Sequence, residues 1–423
     1  LTNFDRYWTI SSVFGRIKTT IKRIRKMFVL YREKYQICAG RHRAGEMRMG
    51  AAKKRKAAHR VFALLISALV VIGIAFAAVL IIKRINTVAR KKSLPIRPET
   101  EYAYTGDGFV YIEGKTLNFY SVKNEDKNYS MSVEADNVKL VGTDKIKVIY
   151  NSSSIQIIGT RFDNMLNGEL KKIVCGDKYV AVYLKNENGT HSLRAFNSSG
   201  TQCWQRDFST TCITDFGFES SDSPVLWMSE LSTVGNSFST SISLYDLSRE
   251  SVIGIISVQQ QIVKNVFITK KSIFAFCTDY LIRFDRGANA EAYRVLCYGY
   301  DCLSADLSGG RMYLLLDKTP LENSSGSSSE TKGVGEYRIL SVSESRLAEE
   351  ASCTITKPEN VVYACMMRDR ISIIKNNQID FYGINGKLQK SYFFDSPVDS
   401  AVKLDNKNIL TVSGSETALY NIR

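Results

Sequence analysis

A short apolar strand ending in an aromatic or bulky aliphatic residue recurs through most of the chain. The copies are Leu117-Asn118-Phe119-Tyr120, Ile155-Gln156-Ile157-Ile158, Leu193-Arg194-Ala195-Phe196, Ile242-Ser243-Leu244-Tyr245, Leu281-Ile282-Arg283-Phe284, Tyr337-Arg338-Ile339-Leu340, Ile379-Asp380-Phe381-Tyr382 and Thr417-Ala418-Leu419-Tyr420. Their last residues step by 38, 38, 49, 39, 56, 42 and 38. A second apolar run precedes each copy, at 109–112, 146–150, 179–183, 225–228, 273–276, 312–316, 371–374 and 409–412. A further run follows some of them, as at 203–208 and 391–394. Gly, Asn, Asp and Ser fill the gaps, and no long helical period appears. About forty residues holding four short strands is the period of a propeller blade. One such sheet cannot bury both faces alone, so blades stack round an axis.

The expected fold class is therefore all-β, a seven- or eight-bladed β-propeller over residues 99–423; a β-sandwich or two smaller β domains is the competing arrangement of the same strands. Eight units are countable, but the one after Ile158 shows no outer strand, and the last ends at Arg423 after three. Closing the ring calls for an N-terminal strand, and Pro95 and Pro98 make 94–97 a poor donor. The two long steps mark insertions holding 229–240 and 321–335, the second rich in Ser and Gly and read as a surface loop. Both are candidate contact regions.

Residues 61–82 read VFALLISALVVIGIAFAAVLII, 22 residues without a charge. At about 1.5 Å per residue such a helix reaches roughly 33 Å, enough for a hydrocarbon layer of about 30 Å. No small-residue exit follows, only Lys83-Arg84, so the run reads as a retained single transmembrane α-helix rather than a cleaved signal.

Charge separates the same parts. Residues 1–60 hold 17 Lys and Arg against Asp5, Glu33 and Glu46, and residues 83–97 add six bases and no acid. Residues 98–423 hold 34 bases and 39 acids. The large domain is mildly acidic, which argues against nucleic acid as a partner. The basic clusters Lys53, Lys54, Arg55, Lys56 and Arg90, Lys91, Lys92 suit anionic lipid head groups, the second within a juxtamembrane linker at 83–98. The longer basic arm favours a cytoplasmic N-terminus and a large domain outside the cell membrane. Within the arm, residues 10–35 have the spacing of a basic amphipathic helix; alternatively the chain begins at Met47.

Catalytic material is sparse. Of the histidines His42, His59 and His191, only His191 lies in the large domain, beside Gly189-Thr190, where it reads as a solvated turn residue. No phosphate loop, Cys-x-x-Cys pair or calcium loop occurs. We therefore expect no catalytic, metal or cofactor-binding residues. Eight cysteines, Cys175, Cys203, Cys212, Cys277, Cys297, Cys302, Cys353 and Cys365, lie in the large domain and read mostly as small buried hydrophobes. Cys297 and Cys302 flank a short loop and are the pair best placed for a disulfide. Five N-x-S/T sequences, at Asn128, Asn151, Asn188, Asn197 and Asn323, read as turn chemistry.

Gly200-Thr201-Gln202-Cys203-Trp204 resembles the G-x-x-x-W exit of quinoprotein-like and YVTN-like propeller repeats, and Asn385-Gly386-Lys387-Leu388-Gln389 looks like a degenerate copy. Over about residues 50–423 the layout is similar to a family of Gram-positive (Firmicutes) membrane proteins with a basic N-terminus, one span and a divergent propeller. That resemblance implies a scaffold without assigned site residues. Quinoprotein dehydrogenases need stacked tryptophans, and this domain has only Trp204 and Trp227. The expected function is a membrane-anchored, extracytoplasmic, non-catalytic binding or scaffold module for envelope proteins or glycans. An extracytoplasmic enzyme, quinoprotein-like or a carboxylate-only hydrolase, and a transmembrane signal relay are the alternatives.

Overall fold

The computed structural model describes Gly73 and residues 90–133, 137–160, 163–209, 211–235, 237–318, 335–344 and 350–422. The chain divides into two compact units, Leu1–Asn86 and Thr87–Arg423. The basic arm 1–60 and, apart from Gly73, the apolar run 61–82 lie outside the described residues. Among the described residues no helix is long and apolar enough to cross a membrane.

The second unit is built from eight four-stranded antiparallel sheets. Seven take consecutive strands: blade 1 (102–132), blade 2 (139–165), blade 3 (169–208), blade 4 (212–259), blade 5 (263–296), blade 6 (300–356) and blade 7 (361–393). Blade 8 takes Ser400–Lys403, Asn408–Ser413 and Glu416–Asn421 and borrows Arg90–Leu94 as its outermost strand. The two strands read in each repeat unit are the second and third of their blade, such as Ser272–Cys277 and Tyr280–Asp285 in blade 5. All six residues of Ser272–Cys277 are buried, as expected of a strand covered on both faces. First and outer strands are half exposed, as in Ala290–Leu296.

Eight apolar clusters hold the ring, one at each junction between neighbouring blades. Between blades 4 and 5, Ile242, Leu244, Ile256 and Val258 meet Val263, Ile273 and Phe284. Between blades 8 and 1, Leu94, Ile96, Leu410 and Leu419 meet Phe109 and Tyr111. The last junction closes the circle, so the blade number is eight.

Closure corrects the expected domain boundary. The donor is Arg90–Leu94, and its ladder ends at Leu94 opposite Thr417, one residue before Pro95. The missing proline N–H therefore falls outside the pairing. The expected linker 83–98 thus contains a strand. Lys91 donates to Glu416 Oε2 at 2.9 Å, Ser93 to Glu416 Oε1 at 2.6 Å and Lys92 to the Val122 carbonyl at 2.6 Å, so both lysines are engaged within the propeller.

Two further expectations are corrected. Blade 2 does have an outer strand, Asp163–Met165, paired with Ser154–Ile157. The insertion at 229–240 is no loop: Val225–Val234 and Ser237–Asp246 pair without a break out to Val234 opposite Ser237. Of the second insertion, residues 319–334 lie outside the described residues.

Because strands within each blade run antiparallel, connections sort onto two sides. First-to-second and third-to-fourth turns share one side, here the entry side. Second-to-third turns and blade-to-blade connections share the other, the loop side. Arg90 opens the fourth strand of its blade, so the chain comes into the wheel from the entry side.

Candidate binding face

The loop side carries the two-residue tip of the long blade 4 hairpin, after Val234, and the connection between Lys318 and Glu336 in blade 6. It is also the more acidic side. Its described connections hold three bases (Arg97, Lys115, Lys357) against seven acids (Glu99, Glu101, Glu187, Asp279, Glu359, Asp395, Asp399). Among the described connections of the entry side eleven bases balance eleven acids.

A cavity of about 390 Å³ opens on the loop side over blades 1 and 2. Three connections build it: 95–101 from blade 8 to blade 1, the Gly114-Lys115 turn, and Asn137-Val138 ahead of blade 2. Thr100 N–H donates to the Arg97 carbonyl at 3.0 Å and Ile112 N–H to the Glu101 carbonyl at 3.2 Å, fixing the first connection against the second strand of blade 1. Glu99, Glu101 and Glu113 line the cavity with Arg97, whose guanidinium lies 3.5 Å from Glu113. Ile112 and Val138 supply its apolar lining. Three carboxylates against one arginine favour a cationic or hydrogen-bond-donating group.

The axial channel is walled by the first strands. In blades 3, 4, 5, 6 and 7 the pairing of that strand shifts register near its start, at Leu170/Lys172, Ile213/Asp215, Val263/Asn265, Cys302/Ser304 and Val361/Tyr363. A bulge re-aims side chains at a sheet edge. Neighbouring blades pair across the wall: Lys172 with Asp215, and Lys264 with Asp301 at 2.6 Å. Toward the entry side Asp306 joins blades 6, 7 and 8, accepting from Lys403 Nζ at 2.8 Å, Arg368 N–H at 3.0 Å and Asn406 Nδ2 at 3.4 Å. Tyr104 Oη donates to Asp405 at 2.8 Å across the blade 8 to blade 1 junction. Burial, together with Asp405, raises the Tyr104 phenol above its ordinary value.

His191 is not a solvated turn residue. It opens the strand His191–Asn197, and its ring stacks on Tyr183 with centroids 5.2 Å apart. Cys297 is buried and Cys302 half-buried, and no disulfide joins them in the structure. Cys297 and Cys302 belong to the apolar cluster between blades 5 and 6 and Cys277 to the one between blades 4 and 5, and burial raises the Cys277 and Cys302 thiols to about 12. Asn151, Asn188 and Asn197 behave as turn formers: each side-chain oxygen accepts a backbone N–H two residues on, from Ser153 at 2.9 Å, Thr190 at 3.0 Å and Ser199 at 3.0 Å. Asn323 lies outside the described residues. Among the described residues no group of three or more His, Cys, Asp or Glu side chains is arranged to hold a metal ion. The sequence reading missed the cavity, because its residues come from three separate connections that no motif links.

No protein-family model matches this sequence. No curated protein matches it either. Solved structures do. BamB from Moraxella catarrhalis is similar at 11% identity over 79% of this chain and 98% of that chain, with a TM-score of 0.50. The chain is a divergent β-propeller. Sqt1 from Saccharomyces cerevisiae is similar at 9% identity over 80% of this chain and 99% of that chain, also with a TM-score of 0.50. At such identities the likeness concerns the propeller fold alone.

Proposed function

We propose that this propeller is a membrane-tethered, non-catalytic binding or scaffold module that docks a partner on its loop side. The observation that carries the proposal is the asymmetry of the wheel. The loop side holds the tip of the long blade 4 hairpin, the long blade 6 connection, the acidic excess and the 390 Å³ cavity, whereas the described connections of the entry side are charge-balanced. Seven residues, 83–89, separate the apolar run from the closing strand. The chain reaches the closing strand at Arg90, on the entry side of the wheel. The charge of the arm supports a cytoplasmic N-terminus and a propeller in the cell envelope. The acidic cavity favours a protein or glycan partner that offers amines, guanidinium groups or hydroxyls.

Site-specific photocrosslinkers at Thr100 and Asn137, which also line the cavity, in the full chain placed in its native membrane test this reading. A single stoichiometric adduct that disappears when Glu99, Glu101 and Glu113 are replaced by Gln supports it. Adducts indifferent to those replacements, or adducts arising equally from the entry side at Lys270, contradict it.

A further inference from the structure

We propose that the outer strand of blade 4, Ser251–Gln259, pairs antiparallel with the same strand of a second copy. The inference rests on the edge itself and is independent of the loop-side reading. Ser251–Gln259 is the outermost strand of its sheet, and its one neighbour is Ser237–Asp246. It runs nine residues, SVIGIISVQ, without a charge or a proline, and holds one β-bulge, where Ile253 has no partner in Ser237–Asp246. Long unprotected edges are templates for strand pairing, and proteins blunt them with short length, charge or proline. The other outer strands follow that rule. Blades 1 and 2 have short ones, Tyr129–Ser132 and Asp163–Met165. Blades 3, 5, 6, 7 and 8 carry charges, among them Arg206, Glu291, Glu350, Lys390 and Lys91. Blade 4 alone leaves a long neutral edge, with Val252, Ile253 and Ile255 exposed at 55, 41 and 58%. Ile256 and Val258 are used up in the core against blade 5.

A second copy fits this edge because the strand complements itself. Antiparallel pairing about Ile255 sets Gly254 opposite Ile256 and Ile253 opposite Ser257, with the β-bulge at Ile253 bounding the regular ladder on each strand. At the flanks Glu250 and Arg249 come toward Gln260 and Gln261, so no like charges face each other. Positive φ angles at Glu250 (51°) and Gln260 (53°) bound the strand at both ends, limiting the register to this stretch. The contact is isologous, so it closes on two copies rather than growing into a filament. It joins two blades 4 into one eight-stranded sheet.

Ile255 sits on the two-fold axis, opposite its own counterpart at a Cβ separation of about 4.5–5.5 Å. Mild oxidation of the full chain carrying Ile255→Cys is expected to give a cross-linked dimer that the unaltered chain does not form. Ile255→Lys and Ile255→Glu are each expected to abolish pairing, since like charges then meet on the axis. Mixing the two is expected to restore a mixed dimer, which also establishes that both variants fold. Absence of the Ile255→Cys dimer, undiminished pairing by Ile255→Lys, or failure of the mixture to recover would overturn the proposal. So would a full chain that is monomeric and binds only a strand from a different protein.

Discussion

Asp380 lies in the third strand of blade 7, is 2% exposed, and yet keeps its charge. Burial pushes its carboxyl upward, but hydrogen bonds from Lys375, Ser391 and Gln378 outweigh burial and hold it below the usual carboxylate range. Lys375 Nζ lies 2.8 Å away and Ser391 Oγ 2.5 Å. A carboxylate depressed in the folded state stabilises the fold above its unfolded value of about 3.9, and that contribution is lost as pH falls through the folded value. Asp380→Asn leaves Lys375 without its charge partner and is expected to cost about 3 kcal/mol at neutral pH, read from denaturant midpoints. Below about pH 4 the difference from the unaltered chain should shrink. A constant difference down to acid would contradict the assignment. Thiols give a second test at this scale. Burial raises Cys175, Cys277, Cys302 and Cys365 to about 12, while Cys212 is exposed. Among the described cysteines Cys212 should react first with a thiol reagent at neutral pH, and Cys212→Ser should remove that phase. The unfolded chain should titrate all nine thiols without reductant; seven would reinstate the Cys297–Cys302 bridge. Cysteines inside apolar runs, such as Cys277 and Cys365, were legible as buried from sequence. His191 was not, since its stacking on Tyr183 depends on the pairing of Lys185 with His191.

At the level of elements, second and third strands stood out because burial on both faces makes them continuous apolar runs. Outer strands are half exposed and polar, so the Asp163–Met165 strand left no pattern to read. The closing strand RKKSL looked like a basic membrane flank for the same reason. Its lysines are instead met locally, by Glu416 and the Val122 carbonyl. A chain shortened to begin at Glu99 therefore lacks the fourth strand of blade 8 and leaves Glu416–Asn421 as a bare edge. Such a chain is expected to aggregate or melt non-cooperatively by circular dichroism, whereas one beginning at Thr87 should melt in a single transition. Equal behaviour of the two would contradict closure by Arg90–Leu94. The turn motifs behave as their spacing implied. Gly200 and Gly386 occupy equivalent third-to-fourth-strand turns with φ of 86° and 72°. A Cβ at Gly386 would also stand 2.6 Å from Cys353 Sγ. Gly386→Ala is thus expected to lower stability by about 1–2 kcal/mol or more, measured by urea unfolding.

Across the whole propeller, stability is shared among eight junctions, each an apolar seam between neighbours. No blade buries both faces without the next, so the ring holds only when its ends meet. That explains why the repeat period was readable but the blade number was not: the period is local, whereas closure depends on a strand and a partner more than 300 residues apart, as in the Lys91–Glu416 contact. The same wheel separates an entry side whose described connections are balanced, where the chain arrives, from an acidic loop side that bears the cavity, the tip of the long blade 4 hairpin and the long blade 6 connection. Neither side is visible as a stretch of sequence, because each gathers turns from every blade. The claim on which this layout depends is that Arg90–Leu94 completes blade 8. Ser93 and Ala418 are paired across that seam. The double variant Ser93→Cys with Ala418→Cys, once oxidised, should join the two ends of the folded propeller through a disulfide within one chain, seen as faster migration on a non-reducing gel. A double variant whose two introduced thiols stay unlinked under conditions that oxidise exposed thiols would contradict the closed eight-bladed ring.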